Sequence, residues 1–364
     1  MENYNAKARP FVWVATAESI LAKIERPCSV ISGTQHWDGI LGEGVLTPQT
    51  QAFHGTAPLA RRELKTLMRR SDLPALTRLP LWYGVLASTA LLVWTALGTW
   101  WLVPAMFVHG VVLVHHFSLQ HECTHFTAFR TRRINEWAAA WCGFWICVPP
   151  VFFRYEHCDH HTHTQIVGRD PELIFLSGSV WGHLAYVSSL PYWRGMLGGL
   201  LNHAWGRLSA AERRFVPPEE RRAVAVEARV FLALYLAVSV AMVAFDWWAP
   251  LWFWWLPVFL GEPVMRSIRM TEHVGRPNVR DMTTNTRTTL VSWPWRFLAW
   301  NMPFHAEHHF APSVPFHALP ALHEKLKGRL HVEAGGYLGV HRGIVGQITG
   351  RSARLGDPAG TDER

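Results

Sequence analysis

The sequence predicts an all-α integral membrane protein: two transmembrane helical hairpins, four spans in all, with a cytosolic helical cap and one re-entrant or interfacial helix. Three observations carry this prediction. Residues 79–121 contain no Asp, Glu, Lys or Arg, which is enough chain for two spans of about 20 residues each. Residues 230–261 form a second apolar block whose only charged residue is Asp246. Basic residues fall outside both blocks, and the turns at 96–99 and 246–250 carry none. That asymmetry places both termini and the basic segments on the cytoplasmic side.

Composition narrows the function classes. Of the 364 residues, 17% are charged, 49% are hydrophobic and 20 are tryptophan. The mean hydropathy is only +0.04, so the apolar residues are clumped rather than spread. The net charge of +8 comes from scattered residues and forms no dense stripe, which argues against nucleic-acid binding. Five cysteines without a CxxC pattern make neither a disulfide framework nor a zinc ribbon, and Cys142 and Cys147 read as packing residues. Residues 1–10 are polar and no signal-peptide core follows, so the first apolar block is expected to direct insertion.

In chain order, residues 1–78 read as a soluble N-terminal region with an amphipathic helix at 14–24 and a glycine-rich loop at 32–44. Residues 79–95 and 100–120 form the first hairpin, turning at Gly98. Its second helix runs into His121 and His125. Residues 137–153 are apolar but contain Pro149 and Pro150, which end or kink a helix. Arg130, Arg132 and Arg133 precede them and Arg154 follows. Basic residues at both ends make this a re-entrant or interfacial helix, because a crossing would put His157 in the opposite compartment from His125. Residues 184–208 have the pattern of an interfacial helix, and 213–229 are charged and cytoplasmic. Residues 230–245 and 251–261 form the second hairpin, the descending helix continuing past Arg266 and Arg269 to Glu272 and His273. A tryptophan-rich approach at 293–300 leads to the last histidine cluster. The membrane domain is thus expected over 79–330. A C-terminal tail follows at 331–364, disordered from 351.

Three histidine clusters punctuate this frame: His121 and His125 in HxxxH spacing, then His157, His160 and His161, then His305, His308 and His309, both HxxHH. Residues four apart sit one turn above each other on one helix face, so each cluster aims several imidazoles at one point. Neutral imidazole ligates iron, zinc and copper, and eight ligands exceed the needs of one ion. The economical reading is a two-metal site. Ligating histidines need their second ring nitrogen held, and Glu122, Asp159, Glu272 and Glu307 are the carboxylates inside or beside the motifs. Asp170 and Glu172 hold their loop or cap a helix. His109 is expected as a buried helix contact, His115 and His116 as tunnel-lining candidates, and His163, His317 and His323 as outer or surface residues.

HECTH, HCDHH and HAEHH, separated by two apolar hairpins, resemble the membrane-bound fatty acid desaturase and hydroxylase family. The resemblance spans roughly residues 79–330. It implies a cytosolic cap holding a di-iron site, with His121, His125, His157, His160, His161, His305, His308 and His309 as iron ligands. His273, in TEHVG, matches the family's ninth ligand. In some acyl-CoA desaturases an Asn one turn earlier helps through water; Arg269 stands there in this chain, a departure from the pattern. The implied activity is an O2-dependent di-iron oxidation that introduces a double bond into a fatty acyl chain or similar lipid. Related hydroxylation, carotenoid oxidation, and oxidative decarboxylation to a terminal alkene use similar clusters and stay open. The sequence contains no HPGG haem motif and no cysteine set for an iron–sulfur centre. Electrons are therefore expected from a separate ferredoxin-like or rubredoxin-like donor. HAEHHFAPSVPFHALPALH is similar to a bacterial subgroup that includes desaturases of unusual substrates, which leaves substrates other than an ordinary membrane acyl chain open; the protein is expected in a bacterial inner membrane, surrounded by membrane lipids.

Two rival classes use the same residues. His121-Glu122-Cys123-Thr124-His125 is also HExxH, the zinc protease motif with Glu as general base. An intramembrane protease needs a further ligand, commonly an Asp from another span, and Asp246 is expected at the far membrane face. A metal transporter would place ionisable groups near the bilayer midplane, whereas these clusters lie at helix exits.

Overall fold

Residues 59–350 are described by the computed structural model, and the expected helix at 14–24, the loop at 32–44 and the tail from 351 lie outside them. The described chain is mostly helical, and three helices are long and apolar enough to cross a membrane: Leu73–Ala96, Leu102–Thr124 and Pro218–Ala244. The first begins six residues before the expected start. Pro74 near its N-terminus favours helix initiation, and Asp72 just ahead accepts hydrogen bonds from the Thr131 backbone N–H at 2.9 Å and hydroxyl at 2.8 Å. Arg78 does not end the span, because its guanidinium donates to the Arg296 carbonyl at 2.8 Å. The chain turns at Gly98, as expected, in the left-handed conformation (φ 73°) that glycine adopts without strain.

The most apolar window of Leu102–Thr124 is 61% buried, against 17% for each of the other two. The middle helix is therefore enclosed by protein, while the outer two present apolar side chains outward. Trp94, Trp100, Trp101, Phe245, Trp247 and Trp248 are exposed at the ends of these helices, where amphipathic rings suit a membrane boundary.

The fourth apolar segment is built differently from a simple span. A π-helical turn, Leu251–Trp255, passes into an α-helix, Leu256–His273, which runs to His273 as expected. Pro257 has no N–H to offer the Phe253 carbonyl one turn back. The Nε2–H of His109 supplies the missing donor at 3.0 Å, giving His109 the structural role expected of it. The same helix lies against Leu102–Val114 at Gly110 and Gly261, so closely that a Cβ on Gly110 would sit 1.8 Å from the Pro257 carbonyl oxygen.

The apolar stretch around 137–153 becomes two helices, Arg132–Ile146 and Pro150–His163, bent by 98°. Cys147 at the break has φ 61°, and Pro149 and Pro150 restart the chain in a new direction. One addition to the all-α expectation is a two-stranded parallel sheet pairing Arg287–Thr289 with His331–Glu333. The chain then forms the helix Gly336–Ile348, whose Val340 and Ile344 pack with Met270 and Val274. At the other end, Leu64, Leu67 and Met68 pack against Leu319, Leu322 and Leu326.

Candidate metal centre

The three histidine clusters, remote in sequence, converge. Ring nitrogens of His121, His125, His157, His161 and His308 lie within 4.8 Å of one another, and those of His160, His273, His305 and His309 do likewise. All nine predicted histidines are buried, and among the described residues these two groups are the only such sets. The enclosed helix brings His121 and then His125 at its C-terminal end. Pro150–His163 carries the second cluster, His305–Phe310 the third, and Leu256–His273 ends on His273.

The two HxxHH helices divide their ligands reciprocally. His157 and His161, four apart, join the group of five, and His160 faces the group of four. In the last cluster His305 and His309 join the group of four, and His308 crosses to the group of five.

Nitrogen faces nitrogen across both groups. His157 and His161 approach Nε2 to Nε2 at 3.0 Å, His308 and His161 at 3.1 Å, and His305 and His273 at 3.0 Å. Two imidazole nitrogens at that separation need a proton or a cation between their lone pairs. Several ring nitrogens have no hydrogen bond at all: both on His121, Nε2 on His125, His160 and His309, and Nδ1 on His161, His305 and His308. Buried polar atoms left unpaired cost about 1–3 kcal/mol each, so this many in one place fits a site for cations. Burial first, and then the neighbouring imidazoles, hold His305, His308 and His309 well below the ordinary histidine pKa. They are neutral at pH 7, as metal ligands must be.

The carboxylates that hold the rings are not the four expected ones. Glu172 accepts from His157 Nδ1 at 2.7 Å, and Asp170 accepts from His160 Nδ1 at 2.8 Å. Each leaves Nε2 of its histidine free to face the group. Asp170 also accepts from the backbone N–H groups of Gln165 (2.8 Å) and Glu172 (2.9 Å), so it holds its loop as well. Arg269 joins Glu172 to Glu272, with 2.8 Å to the latter. Burial alone would raise the Glu172 pKa; His157, His160 and Arg269 outweigh it and hold the carboxylate well below its usual range.

The four expected carboxylates separate. Glu272 is near the site, 3.8 Å from His305 Nε2. Glu122 accepts instead from the Thr127 hydroxyl at 2.8 Å and the Phe316 N–H at 3.1 Å. Glu307 pairs with Thr288 and His323, which makes His323 an outer residue as expected. Asp159 pairs with His163 at 3.0 Å. Glu122 thus belongs to neither group, an arrangement unsuited to the protease reading, in which that carboxylate works beside the metal.

Cavities adjoin the centre. An enclosed one of 20 Å³ is lined by His115, Ser118, His121, Glu272, His305 and Tyr337 among others. Its size suits one water molecule, and His115 Nε2 and the Tyr337 hydroxyl are both unpartnered. His116 lies instead against Trp82 and Tyr83. A larger cavity of 410 Å³ runs from Phe117, Glu172 and Arg269 to Tyr192, Met196 and Leu200 on the helix Leu190–Ala204.

Comparison with known proteins follows the same lines. The family model described as fatty acid desaturase matches residues 98–338, a stretch that includes all nine histidines. The chain is also similar to an sn-1 oleoyl-lipid 12-desaturase of Arthrospira platensis, with 20% identity over 251 residues, 62% of this chain and 68% of that protein.

Proposed function

We propose, for a chain that belongs to the fatty acid desaturase family and is therefore an oxidoreductase of that type, that it is a di-iron enzyme introducing a double bond into a membrane-borne acyl chain. The observation that carries this reading is the sorting of nine buried imidazoles into a five-member and a four-member group. Nitrogen ligation leaves positions open at each ion for dioxygen. His121, His125, His157, His161 and His308 would hold one iron, and His160, His273, His305 and His309 the other. When bound, the iron pair supplies the activation of dioxygen and the removal of hydrogen from an unactivated C–H.

The remaining work belongs to the chain. Glu172 and Asp170 fix the tautomers of His157 and His160, so that Nε2 presents its lone pair. Arg269 ties the loop bearing Glu172 to the helix bearing His273, which keeps the two groups in register. The enclosure of residues 102–124 excludes bulk water from the centre. Two adjacent acyl C–H hydrogens, one O2, two electrons and two protons give the alkene and two waters. Electrons come from a separate ferredoxin-like or rubredoxin-like protein, and the basic cytoplasmic segments favour an acidic donor.

In this reading the chain crosses a bacterial inner membrane four times. Three crossings are Leu73–Ala96, Leu102–Thr124 and Pro218–Ala244, and residues 251–273 form the fourth. The bent pair at 132–163 enters and returns on one side, leaving every histidine cluster and both termini in the cytoplasm. Metal analysis and lipid analysis test the reading together. About two irons per chain, with a new carbon–carbon double bond in the lipids of a host lacking the activity, are expected. A hydroxylated product or an alkene one carbon shorter selects the related oxidations, and a single zinc with proteolysis overturns the class.

A further inference from the structure

We propose that a groove along the glycine face of Leu190–Ala204 binds the phosphate headgroup of a membrane phospholipid whose acyl chain is the substrate. The proposal rests on the desaturase reading above and deepens it by naming the substrate class. At about 100° per residue, this helix divides into sectors. Leu190, Leu197 and Leu201 form an exposed apolar stripe, flanked beyond the helix by exposed Trp181 and Trp205. Leu200 and His203 face inward. Between the two lie Gly195, Gly198, Gly199 and Asn202, with Arg194 at the border of the apolar stripe. A helix with this division lies in the plane of the headgroups with its apolar side in lipid, so Arg194 stands at phosphate height.

The glycines do not serve packing. A Cβ on Gly195, Gly198 or Gly199 would meet nothing within 4 Å. The space they leave is a groove of 920 Å³, closed opposite by Arg207, Leu208, Ser209 and Glu212. Among the described residues, neither the Arg194 nor the Arg207 guanidinium has an ion pair or hydrogen bond. The acid in the groove, Glu212, is already engaged by His203 at 2.9 Å and by the Ser209 N–H at 2.6 Å. Two unpaired guanidinium groups around a space with no free carboxylate suit a phosphate, which such groups bind through paired, charge-assisted hydrogen bonds. A phosphate carried on a soluble thioester would not need the apolar stripe beside it; a phospholipid in the leaflet does. Pro191, Gly195, Gly199 and Glu212 also line the 410 Å³ cavity that reaches Glu172 and Arg269. A headgroup in the groove would therefore lie beside a cavity that extends as far as Glu172, the carboxylate that holds His157.

The test uses the full-length protein and two variants, the double substitution Arg194→Ala with Arg207→Ala, and Gly198→Leu. The second fills the groove where there is open space and improves helix propensity, so it keeps the fold. Native mass spectrometry counts retained phosphatidylglycerol with no need for metal or turnover. The wild type should retain it, and both variants should retain about tenfold less, as expected for lost charge-assisted contacts or a filled site. Turnover is then compared on oleoyl phosphatidylglycerol, oleoyl-CoA and oleic acid with iron, dioxygen and a reductase system. For the phospholipid, KM should rise about tenfold in the variants while kcat stays within about twofold, the signature of lost ground-state binding. Equal lipid retention in wild type and variants overturns the proposal. So does a wild type that oxidises the thioester or free acid and leaves the phospholipid untouched, in which case the desaturase reading survives. A wild type that binds no iron and oxidises none of the three substrates removes that reading instead, while lipid retention still decides the groove.

Discussion

Replacing Glu172 by Ala separates the role of the supporting carboxylates from that of the histidines. The carboxylate accepts from His157 Nδ1 at 2.7 Å and pairs with Arg269, and its side chain is only 8% exposed. Truncation leaves His157 free to take the other tautomer, with its proton on Nε2 where the lone pair is needed. Loss of such a partner costs about 10–100-fold in metal affinity, or about 1.4–2.7 kcal/mol. Arg269 keeps its 2.8 Å bond to Glu272, so the fold should survive. His157 belongs to the group of five, and that ion should be lost first. Asp170→Ala should be broader in effect, because Asp170 holds both His160 and the backbone N–H of Glu172. The assay is iron content against a graded chelator series, read by mass spectrometry. Glu172→Ala should pass through a one-iron plateau, whereas Asp170→Ala should lose both ions over a similar range. Wild-type retention in Glu172→Ala, or indistinguishable curves for the two variants, would refute the assignment of these carboxylates.

Three further outcomes follow from the same geometry. Gly110→Ala should destabilise the protein by about 1–3 kcal/mol or more through overpacking, because the new methyl would meet the Pro257 carbonyl at 1.8 Å; a lower thermal midpoint in detergent and loss of iron are expected, and an unchanged midpoint contradicts the close approach. His161→Ala should lower iron content, while His163→Ala should leave it within error, since His163 pairs with Asp159 outside both groups; equal loss in both would dissolve the distinction. The metal-free protein should lose stability as pH falls below about 6.5. The folded pKa values of His305, His308 and His309 are depressed, so between those values and 6.5 the unfolded chain binds protons that the folded chain does not. Each group contributes about 1.4 kcal/mol per pH unit in that window, and a midpoint flat from pH 7.5 to 5.5 would count against the burial of neutral rings.

The histidines were legible because helical periodicity alone aligns residues four apart, and spacing is visible in a sequence. The break at Pro149 and Pro150 and the turn at Gly98 were legible because their local backbone chemistry is distinctive: proline fixes φ and lacks an N–H, whereas glycine admits the left-handed turn other residues resist. The supporting carboxylates were not. Glu122 follows His121 directly, yet one step along a helix rotates a side chain by about 100°, which carries it to Thr127 and Phe316. Glu307 is turned from its neighbours to Thr288 and His323 by the same rotation. A carboxylate that reaches behind a ligand ring comes from a different segment, here the loop with Asp170, Pro171 and Glu172. The one signal was two acids flanking a proline shortly after the second cluster. Neither the parallel strand pair of three residues each nor the early start of Leu73–Ala96 was visible, because charged Arg78 reads as a boundary until its carbonyl partners are known.

The reciprocal allotment of the two HxxHH helices has a mechanical consequence. Because a single turn of Pro150–His163 reaches into both groups, and His305–Phe310 answers it in the opposite sense, the spacing of the two nitrogen groups is gauged by helix pitch. Loosening either helix would slacken both groups at once. The pair is thus clasped like interlaced fingers, and neither hand can open alone.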